Sequence, residues 1–75
     1  FNPVTTIRYE IPTRSNVNIS VFNILGELVS VLVNEVQEPK SYEIKFDASL
    51  LPSGVYIYRI NSENYTRSQK MVLIK

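Results

Sequence analysis

The sequence predicts an all-β fold, a sandwich of two packed antiparallel sheets, and three observations carry that prediction. Apolar and polar residues alternate with a period of two in several short runs. Proline, glycine, asparagine and serine interrupt those runs at intervals of about 8 to 12 residues. The whole chain has 75 residues, room for one domain with no internal repeat or interdomain linker. Six or seven short strands, nearer seven, fit that length.

The first strand runs from Thr5 to Ile11, where Ile7, Tyr9 and Ile11 alternate with Thr6, Arg8 and Glu10. Pro12, Arg14, Ser15 and Asn16 break it. In the second strand Val17, Ile19 and Val21 alternate with Asn18, Ser20 and Asn23 until Phe22 interrupts. Asn23 to Gly26 read as a tight turn, because Gly26 can take a positive φ that a branched residue resists. The next segment is ambiguous: Leu25, Leu28, Val29, Leu32 and Val36 fit a helical stripe, whereas Val29, Val31 and Val33 fit a strand. Branched residues and the short span before Asn34, Glu35, Gln37, Glu38 and Pro39 favour the strand. Tyr42, Ile44 and Phe46 mark a fourth strand, ended by Asp47, Ala48 and Ser49. Pro52 and Gly54 then punctuate a loop, so the structural turn residues are Gly26, Pro52 and Gly54. Val55 to Ile60 is apolar except at Arg59 and reads as a central strand covered on both faces. Asn61 to Asn64 form a polar turn. Tyr65 to Lys75 is the final strand, with Met71 and Leu73 facing one way and Val72 and Ile74 the other.

Composition excludes several function classes. Apolar residues make up 44% and charged residues 20%, and the formal charge is +1. The charges are scattered, so nothing marks a nucleic-acid or anionic-membrane partner. The apolar runs Val31 to Val33 and Met71 to Ile74 are far below the roughly 20 residues of a membrane helix. Phe1 is not an initiator residue, and residues 1–75 are expected to be one domain excised from a longer polypeptide.

The chain has no histidine and no cysteine, which removes the common catalytic triads and the usual zinc or copper ligands. Asp47 is the single aspartate, and the glutamates lie on strand faces or in turns; no catalytic, cofactor-binding or metal residue is expected. Tyr9, Tyr42, Tyr56, Tyr58 and Tyr65 are candidates for sugar stacking. The plainer reading places Tyr9, Tyr42 and Tyr56 at core edges with their hydroxyls in water. Asn18 with Ser20, and Asn64 with Thr66, form glycosylation acceptor patterns that count only in a eukaryotic host.

Five strings, taken in order, carry a resemblance. They are Asn2, Pro3, Thr5, Thr6, Ile7, Arg8, Tyr9; Val21, Phe22, Asn23, Ile24, Leu25, Gly26, Glu27, Val29; Phe46, Asp47, Ala48; Ser53, Gly54, Val55, Tyr56; and Lys70, Met71, Val72, Leu73, Ile74, Lys75. Together they resemble the type A C-terminal sorting domain of the type IX secretion system, over essentially the whole chain. The resemblance implies an immunoglobulin-like sandwich and a module that follows an N-terminal cargo and catalyses nothing itself. It implies recognition by the outer-membrane translocon and removal by a sortase-like peptidase, with passage through the periplasm to the medium or the cell surface. It also implies that the basic, apolar ending Lys70, Met71, Val72, Leu73, Ile74 and Lys75 is the recognition element. The same strings are similar to the immunoglobulin-like domain of flagellar hook-capping proteins and to accessory sandwiches of bacterial glycosidases. The alternative is therefore a carbohydrate-binding or spacer module of a secreted bacterial enzyme.

Overall fold

The computed structural model describes residues 1–63 and 65–74. Its six strands are β1 (Val4–Ile11), β2 (Ser15–Asn23), β3 (Leu28–Gln37), β4 (Lys40–Asp47), β5 (Gly54–Asn61) and β6 (Thr66–Leu73). β1 pairs with β4 in a two-stranded sheet, and the larger sheet has the order β3-β2-β5-β6. Every one of these pairings is antiparallel. The count falls at the lower end of the expectation, because each alternating run forms one undivided strand.

The period-two pattern becomes the core. Ile7, Tyr9 and Ile11 from β1, with Phe46 from β4, meet Val17, Ile19, Val21, Val33, Tyr56, Tyr58, Ile60, Met71 and Leu73 from the larger sheet in one cluster. Val17, Ile19 and Val21 are wholly buried, because β2 lies inside its sheet and points these residues at the opposite one. On β6 only Met71 and Leu73 are buried.

The ambiguous segment is a strand, and its irregularity explains the ambiguity. Ile19 pairs with Val33 but Ser20 with Val31, and Val21 pairs with Ser30 but Phe22 with Leu28. Leu32 and Val29 are thus extra residues, each placing two residues of β3 against one of β2, as in a β-bulge. Both bulged residues pack against the core. Residues three apart therefore turn inward from an extended chain, which mimics helical spacing.

The β2–β3 turn is held by Asn23. Its side-chain oxygen accepts the N–H of Leu25 at 2.9 Å and that of Glu27 at 3.0 Å. The N–H of Gly26 donates to the Asn23 carbonyl at 3.0 Å. Gly26 has φ +82°, and a Cβ there would meet nothing within 4 Å. The cost of a side chain is thus purely conformational: Gly26→Ala is expected to lose about 1–2 kcal/mol in urea unfolding, and a loss near zero would show that the turn relaxes. The other turn residues behave differently. Pro52 sits in the loop, where its carbonyl accepts the Tyr56 hydroxyl at 2.7 Å. Gly54 is already the first residue of β5, paired with Leu73.

Polar contacts tie the two sheets together. The Tyr9 hydroxyl on β1 donates to Oε1 of Gln37 on β3 at 2.8 Å, in a buried position. The Tyr65 hydroxyl donates to the Glu10 carbonyl at 3.2 Å, and that of Tyr42 to the Glu38 carbonyl at 2.7 Å. The expectation that Tyr9, Tyr42 and Tyr56 send their hydroxyls to water is corrected: each finds a protein acceptor, because the strands end beside exposed loop carbonyls or, for Tyr9, beside a buried amide.

Candidate functional site

The residues singled out as a recognition element split into two sets along β6. Met71 and Leu73 are 9% and 1% exposed, while Val72 and Ile74 are 44% and 63% exposed. Lys70 is exposed beside them. Alternation along the strand places Lys70 and Val72 on the outer face, away from the opposing sheet. Lys75 lies outside the described residues, as does Asn64 of the second glycosylation pattern. Asn18 of the first pattern is part-buried and engaged with Ser20, whose hydroxyl donates to Asn18 Oδ1 at 2.6 Å.

The outer face continues across the sheet. Lys70 pairs with Ile57, Val72 with Val55, and Ile57 in turn with Phe22. Val55, Ile57 and Phe22 are half-buried, and Leu28 and Val31 on β3 are 59% and 49% exposed. The Arg59 guanidinium lies over the Phe22 ring, 5.0 Å from its centre. This corrects the reading of β5 as covered on both sides: its inner face is in the core, but its outer face is shielded only by neighbouring side chains. The unbroken apolar run from Val55 to Tyr58 is the sequence signal of a second apolar face, and the structure leaves that face open. The result is a partly apolar surface rimmed by the cations Lys70 and Arg59 and continuous with the edge of β6.

Among the described residues no three His, Cys, Asp or Glu side chains converge to hold a metal. Asp47 accepts the backbone N–H of Ser49 at 2.9 Å, and that bond holds its carboxyl below the usual 3.8; the group terminates β4 rather than standing ready as an acid. A shallow groove of about 590 Å³ is lined by Arg8, Tyr9, Glu10, Ser41, Tyr42, Glu43 and Arg67. Its two tyrosines stack on each other at 5.3 Å and 12°, with the Lys40 ammonium 5.0 Å from the centre of the Tyr42 ring. Tyr56 and Tyr58 are buried. Ring packing thus engages Tyr9, Tyr42, Tyr56 and Tyr58, and Tyr65 is part-buried against the core.

Among the described residues, the sandwich presents an edge strand and a cation-rimmed apolar face, the kind of surface that protein-recognition modules use. Residues 2–75 match the secretion system C-terminal sorting domain family, and the chain belongs to that family. It is the sorting signal carried by type IX secretion cargo, which directs an N-terminal cargo to the secretion machinery for release or display at the cell surface. The family is not catalytic. No curated protein matches the chain, and no solved structure does.

Proposed function

We propose that residues 1–75 are one sorting domain joined to its cargo, and that the outer-membrane translocon of the type IX system reads it through the outer side of β6. Lys70, Val72 and Ile74 with Lys75 make the contact, and Val55 and Ile57 extend it. Met71 and Leu73 serve the same element from inside by anchoring the strand to the core. The protein travels through the periplasm before this contact, and a sortase-like peptidase separates cargo and domain after it.

The observation that carries this reading is the alternation of β6, which buries Met71 and Leu73 while leaving Lys70, Val72 and Ile74 accessible. A strand that displays a cation and branched residues on its outer face supplies both charge and apolar surface to a partner.

The decisive experiment separates reading from folding. Deleting Lys70 to Lys75 would also remove Leu73 from the core, so the informative variant is Lys70→Glu with Lys75→Glu, borne on the native cargo in a host that has the secretion system. Export is expected to fall by about tenfold or more, equivalent to losing about 1.4 kcal/mol at the contact, with the melting temperature unchanged. Unchanged export would remove these lysines from the site.

A further inference from the structure

β6 is covered along only part of its outer edge. The nitrogen of Phe1 donates to the Val72 carbonyl, and the Phe1 carbonyl accepts the N–H of Ile74 at 2.9 Å. A residue bonded in this way to both neighbours of Leu73 forms one rung of a parallel ladder. The same alternation aims the backbone groups of Leu73, Met71, Gln69 and Arg67 at their β5 partners Gly54, Tyr56, Tyr58 and Ile60. The groups of Val72, Lys70, Ser68 and Thr66 consequently face outward. Beyond the Phe1 rung, no described residue bonds to the outward backbone groups of Lys70 or Ser68.

We propose that the segment immediately before Phe1, which joins the sorting domain to its cargo, continues this ladder and lies along β6 as a parallel fifth strand of the larger sheet. The occupant follows from direction and register. A parallel strand that reaches Leu73 at Phe1 must have come from the Thr66 end of β6, so the preceding residues pass the open edge in turn. The second residue before Phe1 donates to the Lys70 carbonyl and accepts the Val72 N–H. The fourth does the same for Ser68 and Lys70. Roughly six residues of linker close the edge as far as Thr66.

The linker thereby shields a polar edge that would otherwise template pairing with other chains. It leaves the side chains of Lys70 and Val72 on the outer face, where they remain accessible. A foreign strand can add to β6 only after the linker has peeled away, so the cargo side of the junction controls access to the backbone of the terminal strand. This inference stands on the Phe1 rung and not on the role proposed for Lys70 to Lys75, and its test reads amide exchange rather than export.

The test is residue-resolved hydrogen exchange on the full-length cargo protein. The Val72 and Lys70 amides are expected to exchange about fivefold more slowly, or slower still, than in the same protein cut immediately before Phe1. Met71 and Gln69, bonded to β5 in either case, change less. Equal rates at Val72 and Lys70 before and after the cut overturn the proposal. If the cut loosens all of β6, two proline variants of the full-length protein decide. Proline at the second residue before Phe1 removes the donor to the Lys70 carbonyl and should speed exchange at Val72 and Lys70. Proline at the first residue before Phe1, whose N–H faces away, should leave both rates unchanged. An identical response to the two prolines also overturns the proposal.

Discussion

Replacing Ile19 with alanine is expected to cost about 2–5 kcal/mol of unfolding free energy, the range for deleting a buried isoleucine side chain and leaving a cavity. Ile19 is wholly buried on the interior strand β2, paired with Val33 on one side and Ile60 on the other. Strands hydrogen-bonded on both edges have little freedom to collapse into the space, which places the cost toward the upper part of that range. The loss is large for so small a domain. A chain of 75 residues has a total stability of only about 4 to 11 kcal/mol, so a loss of about 4 kcal/mol would remove roughly a third of it or more. Urea titration followed by circular dichroism reads the difference, with Ile74→Ala as the control. Ile74 is 63% exposed, and its truncation should stay within about 0.5 kcal/mol. A cost below about 1 kcal/mol for Ile19→Ala would mean that the two sheets close over the cavity.

The second large effect concerns the buried Tyr9–Gln37 bond between the sheets. Tyr9→Phe keeps the ring but leaves Gln37 Oε1 without its donor, and Gln37 is only 8% exposed. The expected cost is about 1–3 kcal/mol, as for any buried polar group stripped of its partner. Tyr9→Phe with Gln37→Leu removes both ends and should cost less than the sum of the two single changes, with a coupling of about 0.5–3 kcal/mol. Strict additivity would show that the bond contributes nothing to docking the sheets. The same pair produces a pH dependence. Burial pushes the Tyr9 phenol above 10.0, opposed by Gln37, whose amide can turn a donor toward a phenolate, and assisted by Tyr42, Glu35 and Tyr65. With the folded value raised, the contribution is fully present below pH 10 and is lost as pH rises through the folded value. The native protein should therefore lose stability more steeply above pH 10 than Tyr9→Phe does, measured by urea midpoints across that range.

Much of this architecture was legible in the sequence. In β1, β2 and β6 local alternation and final orientation coincide, because each strand has one face on the core and no irregularity to shift its phase. β3 was less legible: the bulges at Val29 and Leu32 reset the alternation twice, so Val31 points out where a regular strand would have turned it in. β5 misled in another way, since its apolar outer residues look the same in sequence whether a layer covers them or only neighbours on the same sheet do. For the candidate site, the inside-outside division of Met71, Val72, Leu73 and Ile74 followed from period two alone. What no local pattern could reveal was the extension of that face to Phe22, Val55 and Ile57, or the meeting of Phe1 with Val72 and Ile74. Those depend on strand order and on pairing between residues at opposite ends of the chain.

That meeting of the two ends also has a mechanical meaning. Phe1 and the end of β6 run side by side in the same direction, so tension between a cargo pulled one way and the terminal strand held the other acts along the strands and across their hydrogen bonds. Bonds loaded in that geometry share the force and fail together, whereas a hairpin pulled open from its mouth surrenders them one at a time. The two bonds of the Phe1 rung are thus loaded in shear by such tension, and they yield more readily when the end strand is drawn out of the sheet sideways.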